Sequence, residues 1–304
     1  MISVVIVNYN AGPLLTACID AALPQVDEVV IVDNASSDDS LARATTRFAD
    51  EARLRIIRNS RNLGFAAACN QGAAAAKGDA VMFLNPDCIL EANAVSRLHD
   101  VLRGHCEEGS DAGSDVGMVG GLLRNPDGTE QRGARRAVPT PWRSFVGAFG
   151  LSRLAGCFPR MFFDFHLHNQ PLPEKPVEVE AISGACMLVH RRAMADVGPW
   201  DEGYFLHCED LDWCMRFRQK GYRIVFVPDA RIMHALGACG RARPIFVEWH
   251  KHKGMMRFYR KFFRHQYPCI LMGLVAVGVW MRFAASAGYY GARRAGRVLG
   301  IGRG

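Results

Sequence analysis

The sequence predicts an α/β protein with a mostly parallel, doubly wound sheet flanked by helices. Short runs of β-branched and other apolar residues alternate with longer segments of helical pattern, as in parallel strands joined by helical crossovers. Polar residues directly follow several of these runs, and ligands of such sheets bind where the strands end. Nearly half of the 304 residues are apolar, which is enough for a sizeable core.

The alternation is clearest in the first part of the chain. Pro13 stands near the start of the first helical segment, where a missing N–H is tolerated, and Gly78 follows the third as a stop. The predicted strands cover 2–7, 28–32, 54–57 and 80–84, and the predicted helices cover 13–23, 38–49 and 65–77.

The pattern is less regular after the fourth strand. A helix is predicted to end over 98–103, strands are predicted at 118–123, 182–189 and 224–227, and a helix is predicted at 210–220. Residues 105–116, HCEEGSDAGSDV, have the composition of a loop. Residues 132–175 are aromatic and Pro-rich, which predicts an irregular insertion facing the substrate.

Positive charge is concentrated at the end of the chain. Residues 241–304 contain 13 Lys or Arg against one acid, Glu248, whereas the chain as a whole carries +7. A tail of +12 suits an anionic partner such as an acidic membrane face. The remaining residues carry −5, which disfavours a nucleic-acid enzyme.

Residues 269–281 form an uncharged apolar run inside this basic tail. Thirteen residues are too few for a standard transmembrane helix. We therefore favour a basic segment with a shallow apolar helix at the membrane surface, with a true span and a core helix as alternatives. The first strand pattern begins directly after Met1, so we expect the protein on the cytoplasmic side.

The ten cysteines contain no C-x-x-C pair. Several of them, such as Cys69, Cys186 and Cys269, lie in apolar or helical patterns, which predicts free buried thiols in a reducing compartment. A zinc site is disfavoured because no pair of candidate ligands has the usual spacing; the candidates are His207, Cys208, Cys214, His234 and Cys239.

The segment 204–216, YFLHCEDLDWCMR, is the strongest catalytic candidate. Glu209, Asp210 and Asp212 stand at the start of a predicted helix, where the dipole favours ionised carboxylates. An ionised carboxylate in a cleft can act as a general base. The alternative is helix capping together with an i,i+4 pair between Asp212 and Arg216, and this alternative suits Asp212 best.

Polar residues at strand ends are the candidates for ligand and metal binding. Asp87, in Asn85-Pro86-Asp87, could hold Mg²⁺ or Mn²⁺ on a diphosphate, because phosphates supply the other ligands. His234 could be a second ligand, Asp33 could accept from a base N–H, and Asn62 with Gly64 could approach a ligand closely. Each also has an ordinary structural interpretation as a turn residue or a satisfied histidine. No G-x-G-x-x-G or P-loop motif follows the first strand.

Taken in order, five segments resemble the family 2 inverting glycosyltransferases of the GT-A fold, especially the rhamnosyltransferase-like branch. They are spread over residues 2–234 in the family's order and are VVIVNYN (4–10), VVIVDNASSDDS (29–40), RNLGFAAACNQG (61–72), VMFLNPDCIL (81–90) and the long segment at 182–234. The resemblance implies a domain at 1–240, with a nucleotide-sugar half at 1–124 and an acceptor half at 125–240, followed by the tail at 241–304.

The resemblance also implies a role for each matching position. Asp210, paired with Glu209, matches the catalytic base, and Asp87 and His234 match the metal site. Asn85 stands where the family's D-x-D motif has its first aspartate. Donor contacts are implied for Asn8, Asp33, Asn62, Gly64, Asn70 and Asn85, and acceptor contacts for Trp200 and Asp201.

We therefore expect inverting transfer of a sugar, rhamnose being one candidate, from a nucleotide-diphosphate sugar to a saccharide or lipid-linked saccharide in cell-surface polysaccharide synthesis. The expected cofactor is Mg²⁺ or Mn²⁺, and the expected location is peripheral, on the cytoplasmic face of the inner membrane. One alternative is a nucleotidyltransferase, which is disfavoured because the loop NYNAGPLL lacks a basic residue. The other is a non-catalytic, membrane-bound module that binds nucleotide sugars.

Overall fold

A computed structural model describes residues 1–104, 116–148, 151–156, 158, 161–162, 165, 167–235 and 243–298. Strands and helices alternate along most of this part of the chain. The strands are β1 (Ile2–Asn8), β2 (Glu28–Asp33), β3 (Leu54–Arg58), β4 (Ala80–Leu84), β5 (Cys88–Leu90), β6 (Val116–Arg124), β7 (Arg135–Arg136), β8 (Val177–Glu178), β9 (Ala181–Ile182), β10 (Cys186–His190) and β11 (Arg223–His234). The helices are α1 (Leu14–Ala22), α2 (Ser40–Arg47), α3 (Phe65–Ala75), α4 (Ala94–Leu102), α5 (Pro141–Ala148), α6 (Arg191–Val197), α7 (Glu209–Gln219), α8 (Pro244–Phe263) and α9 (Cys269–Val298).

The first four strands form the parallel part of the sheet, as the sequence predicts. β1 pairs in parallel with both β2 and β4, and β2 pairs in parallel with β3. All residues of β2 and β4 are buried, which explains why these strands are nearly continuous apolar runs. Helix α3 lies so close to the sheet that a Cβ on Gly72 would be 2.2 Å from Val5 Cγ1.

The second part of the sheet is mixed. β10 lies between β4 and β6 and is antiparallel to both, while β11 is parallel to β6 and antiparallel to β5. Within the described residues the order is β3-β2-β1-β4-β10-β6-β11-β5, with β8 paired to β11. The fold class is therefore α/β with helices flanking a mixed sheet, and the doubly wound pattern does not extend past β4.

Three predictions need correction in detail. The strand expected at 182–189 is two strands, β9 and β10, because a turn at Ser183–Ala185 separates them. The insertion at 132–175 is not wholly irregular, since it contains β7 and α5. Apart from Val116, the loop expected at 105–116 lies outside the described residues.

The chain divides into two compact units. One comprises Met1–Val138, Phe165–Phe205 and Glu209–Cys239, and it contains the large sheet. The other comprises Pro139–Asp164, Leu206–Cys208 and Gly240–Gly304. The tail therefore shares a unit with part of the insertion, which the sequence boundary at residue 240 does not anticipate.

Helices α8 and α9 dominate the second unit. Trp249 of α8 packs against Trp280 and Phe283 of α9, with ring centroids 5.2 and 5.4 Å apart. The helix that contains the apolar run at 269–281 does not end at Arg282, because α9 extends to Val298 and has 30 residues in all. By length and composition, its segment Cys269–Ala295 could cross a membrane, and almost none of it is buried.

The structure places six described cysteines in the interior and one at the surface. The buried thiols are Cys18, Cys69, Cys88, Cys186, Cys208 and Cys214, as the sequence predicts. Cys269 is exposed, contrary to that prediction. It is the first residue of α9, a helix that is mostly exposed.

Candidate functional site

The pairing of β5 with β11 brings Asp87 and His234 together. Asp87 directly precedes β5, and the register places His234 opposite Cys88. His234 Nε2 lies 3.1 Å from Asp87 Oδ1, and the N–H of Ala235 donates to the backbone oxygen of Asp87 at 3.0 Å. Both side chains are buried, so little solvent separates them. The two residues predicted to bind metal are thus adjacent, although 147 positions separate them in the sequence.

The donor atoms at this pair fit a divalent cation. His234 Nδ1 lies 2.6 Å from Gln131 Oε1, an acceptor, so a proton on Nδ1 completes this hydrogen bond; in the neutral ring, Nε2 is then the atom that can bind a cation beside Asp87. A carboxylate oxygen together with a neutral imidazole nitrogen suits Mn²⁺. Mg²⁺ prefers oxygen ligands, so only the carboxylate suits it well. Cys88 offers a third nearby atom, but its thiol donates to Ala185 O, and burial raises the pKa of that thiol well above its usual value. Asp87 and His234 are therefore the better ligands.

Asn85 contributes through its backbone to this turn. Its N–H donates to Ala185 O at 2.9 Å, and its own carbonyl accepts from the N–H of Cys88 at 3.1 Å. The first bond joins the end of β4 to the start of β10, and the second closes the turn that leads into β5. A direct donor contact by the Asn85 side chain stays a prediction.

Asp210 lies in the first turn of α7 and is held by two donors. Its Oδ2 accepts from the backbone N–H of Gly184 at 3.2 Å and forms an ion pair with the guanidinium of Arg136. The side chains of Arg136 and Asp210 are 20% and 15% exposed, so both can be reached from solvent. A carboxylate in this position can accept a proton from a bound hydroxyl group.

Glu209 has a different environment from its neighbour. It is 6% exposed, and its Oε2 has no hydrogen-bond partner. Burial, with the nearby charge of Asp210 adding to it, raises the pKa of Glu209 to about 8. Arg136 opposes this rise but does not cancel it. At neutral pH Glu209 is therefore mainly protonated, and Asp210 is the better candidate for a general base.

The ends of β1 and β2 meet at the same edge of the sheet. Asn8 is fully buried, and its amide nitrogen donates to Asp33 Oδ1 at 2.7 Å and to the hydroxyl groups of Ser36 and Ser40. In this structure Asn8 holds the loop after β2, and a contact between Asn8 and a ligand stays a prediction. Asp33 also bonds the N–H of Ser36, and a contact between Asp33 and a base stays a prediction.

Gly64 approaches another part of the chain closely. Its φ is +91°, Asn62 Oδ1 accepts its N–H at 2.9 Å, and a Cβ there would be 2.7 Å from Phe205 O. Only glycine suits this backbone conformation without strain. Gly64 thus lies close to Phe205, shortly before α7, and a close approach to a ligand stays a prediction.

Asn70 fixes the loop that carries Trp200 and Asp201. Its amide donates to Trp200 O at 3.0 Å, and its oxygen accepts the N–H of Trp200 at 2.9 Å. The indole of Trp200 is 2% exposed and lies against Trp213, with ring centroids 4.3 Å apart. The indole therefore packs in the core, and its expected contact with an acceptor stays a prediction. Asp201 is partly exposed and caps the N–H of Gly203, so an acceptor role remains open to it.

The segment Gly184–Ala185 connects Asp210 with the turn that carries Asp87. Gly184 donates its N–H to Asp210, and Ala185 accepts the N–H of Asn85, two residues before Asp87. A Cβ on Gly184 would lie 3.2 Å from Asp210 Cβ, so the glycine permits this close packing. The predicted base and the predicted metal ligand thus border one short turn.

Comparison with known proteins identifies the family of this chain. Residues 3–150 match the family described as glycosyl transferase family 2, and residues 152–291 match glycosyl transferase family group 2. The chain belongs to the family 2 glycosyltransferases. It is an enzyme of the rhamnosyltransferase-like branch. The N-acetylglucosaminyl-diphospho-decaprenol L-rhamnosyltransferase of Mycobacterium tuberculosis is 29% identical over 77% of this chain and 76% of its own length. The rhamnosyltransferase WbbL of Escherichia coli is 38% identical over 24% of this chain and 29% of its own length.

Solved structures confirm the GT-A fold of this glycosyltransferase. The mannosyltransferase PcManGT of Pyrobaculum calidifontis, in complex with GDP-Man and Mn²⁺, aligns with a TM-score of 0.56 at 16% identity, over 99% of this chain and 81% of that one. GalNAc-T7, with UDP, GalNAc and Mn²⁺, has the same TM-score at 18% identity, over 77% of this chain. The present chain spans 44% of GalNAc-T7.

Glu209→Gln should change how stability depends on pH. The native state holds a proton on Glu209 up to a pKa of about 8, whereas the unfolded chain releases it near 4.5. This contribution is fully present below pH 4.5 and is lost as the pH rises towards 8. The melting temperature should therefore fall less steeply across this range in Glu209→Gln than in the native protein. Exposed Glu174→Gln is the matched control, and equal slopes in both variants would contradict the assignment.

Proposed function

We propose that this glycosyltransferase moves a sugar from a nucleotide-diphosphate sugar to a saccharide or lipid-linked saccharide, with inversion at the anomeric carbon, in the synthesis of a cell-surface polysaccharide. The observation that carries the proposal is the placement of Asp210 and the Asp87–His234 pair on either side of the Gly184–Ala185 turn. Rhamnose is the candidate sugar because both named relatives are rhamnosyltransferases.

In the proposed reaction, Asp210 takes the proton of the acceptor hydroxyl group while the oxygen of that hydroxyl group attacks the anomeric carbon. The bond between that carbon and the diphosphate breaks in the same step. A single displacement of this kind inverts the configuration at the anomeric carbon. Arg136 and the N–H of Gly184 hold the carboxylate so that one face is aimed at the hydroxyl, and this orientation supplies much of the rate enhancement.

Asp87 and His234 would hold the divalent cation. When bound, the cation offsets the negative charge that grows on the leaving diphosphate. Two of the structural relatives were solved with Mn²⁺ and a nucleotide or nucleotide sugar, which supports Mn²⁺ as the first cation to test.

The proposed acceptor is lipid-linked, and the second unit supports docking on an anionic membrane. The M. tuberculosis relative is named for a diphospho-decaprenol substrate. On α9, the exposed residues Ile270, Leu274, Val277 and Met281 recur every three or four positions and form one apolar stripe. Exposed Arg282 lies near the middle of α9, where a charge at the bilayer centre would cost about 3 kcal/mol or more. We therefore propose peripheral attachment at the cytoplasmic face.

Asp210→Asn should abolish most transfer while donor binding persists. Loss of a general base typically lowers the rate by about a hundredfold or more. The first step is a thermal-shift screen of nucleotide sugars with Mn²⁺, and turnover is then measured with the donor that binds. Asp100→Asn, at an exposed position on α4, is the matched control. Near-normal turnover of Asp210→Asn would contradict the assignment, and loss of turnover in Glu209→Gln alone would move the base to Glu209.

Asp87→Ala should weaken metal-dependent binding of the nucleoside diphosphate more than it disturbs folding. It lies in a turn between two strands, so the change removes little of the core. Calorimetry with and without Mn²⁺ measures the effect, and Asp100→Ala is the control. Equal affinity of the native protein in both conditions would contradict a metal role for this pair.

Leu274→Glu combined with Met281→Glu should release the protein from anionic vesicles. Each side chain would lose about 1.5–3 kcal/mol of apolar burial in the membrane interface, so binding should weaken by more than tenfold. Ala42→Glu with Thr46→Glu adds the same charge to exposed positions of α2 and is the control. The attraction of the basic tail should also weaken in high salt. Retention of the native protein in high salt would contradict peripheral attachment and indicate a spanning helix.

A further inference from the structure

Gln131 lies buried behind His234, in a turn to which the transfer reaction assigns no role. It is 3% exposed, and it follows the sequence Asn125-Pro126-Asp127-Gly128-Thr129, which joins the end of β6 to the insertion. We propose that Gln131 is a positioning residue that fixes the proton of His234 on Nδ1 and so reserves Nε2 for the divalent cation. The inference rests on the metal site of the proposed function.

A chain of hydrogen bonds runs from an exposed carboxylate to the buried histidine. The Thr129 hydroxyl donates to Asp127 Oδ1 at 2.6 Å and accepts from the Asn125 amide nitrogen at 3.0 Å. Asn125 Oδ1 in turn accepts from the Gln131 amide nitrogen at 3.2 Å. Gln131 Oε1 then faces His234 Nδ1 at 2.6 Å. The side chains of Gln131, Asn125 and Thr129 therefore each donate to the next group toward Asp127 and face the preceding group with an oxygen that accepts.

The direction of this chain cannot be reversed. If the amides of Asn125 and Gln131 were turned over, the Thr129 hydroxyl would have to donate to Asn125. Its oxygen would then face the Asp127 carboxylate at 2.6 Å with no hydrogen between them. The Gln131 amide nitrogen also donates to His234 O, at 3.4 Å, and a backbone carbonyl can only accept. Two independent acceptors thus orient the Gln131 amide.

This orientation decides which nitrogen of His234 is protonated. Gln131 Oε1 has only lone pairs, so a separation of 2.6 Å from Nδ1 requires a proton on Nδ1. The neutral ring then has a bare Nε2, which faces Asp87 Oδ1 at 3.1 Å. Two facing acceptors repel each other unless a proton or a metal cation lies between them, and a divalent cation can fill this place while the ring stays neutral. Partners of this kind set the tautomer of metal-binding histidines, and their loss typically weakens metal affinity by about 10–100-fold.

The test reads the tautomer and the metal affinity separately. The full-length protein is labelled with ¹⁵N-histidine, and His234→Asn identifies the signal of His234 among the ten histidines. In alkaline, metal-free buffer, native His234 should carry its proton on Nδ1. Gln131→Met, which keeps the length but removes the acceptor, should give mixed tautomers and bind Mn²⁺ about tenfold to a hundredfold more weakly. Gln131→Glu restores an acceptor and should keep the Nδ1 proton.

Gln219→Met, at an exposed position of α7, controls for the substitution itself and should match the native protein. The proposal is overturned if native His234 carries its proton on Nε2 or on both nitrogens. It is also overturned if Gln131→Met retains the native tautomer and the native Mn²⁺ affinity. If the native protein shows the Nδ1 proton but binds no Mn²⁺, the assignment of Nε2 to metal binding is wrong. The Asp210 variant still tests the proposed sugar transfer independently of this result.

Discussion

The antiparallel placement of β10 beside β4 is the constraint on which the site depends. It brings the start of β10 to the carboxyl ends of the parallel strands, so that Ala185 accepts the N–H of Asn85. Gly184 is then in place to donate to Asp210 on α7. If β10 were joined to β4 in parallel, its other end would lie at this edge, and the turn that separates the base from the cation ligands would be lost.

The sequence predicts the parallel part of the fold well because its information is local. Each strand from β1 to β4 is a short buried apolar run, and each intervening segment has helical composition. The antiparallel direction of β10 depends on pairing with β4, about a hundred residues earlier, which no local pattern contains. Strand β5 has only three residues, which is too short for composition to predict. Helix α9 contains the charged residue Arg282, so composition alone does not predict the length of this helix or where it ends.

The site residues divide in the same way, into those that a local sequence pattern indicates and those that it does not. Asp87, Asp210 and His234 could be proposed from strand ends, helix starts and family resemblance, and the structure brings Asp87 and His234 into contact. Arg136 and Gln131 were missed because Arg136 lies in the insertion at 132–175 and Gln131 lies just before it, and neither stretch has a regular pattern. The adjacent pair Arg135–Arg136 was an available clue, since neighbouring residues of a strand point to opposite sides. One arginine pairs with Glu130 and the other reaches Asp210.

Arg136 belongs to the segment between β6 and β9. If this segment contacts the acceptor, the same residues would influence both which acceptor is used and how readily Asp210 takes its proton. The carboxylate of Asp210, the proposed base, is held by a side chain from the insertion, which the sequence predicts to face the substrate. An acceptor that moves this segment even slightly would alter the ion pair and hence the readiness of the base. A poorly fitting acceptor could then be rejected by slow chemistry even when it binds, so that discrimination would be expressed in turnover as well as in affinity.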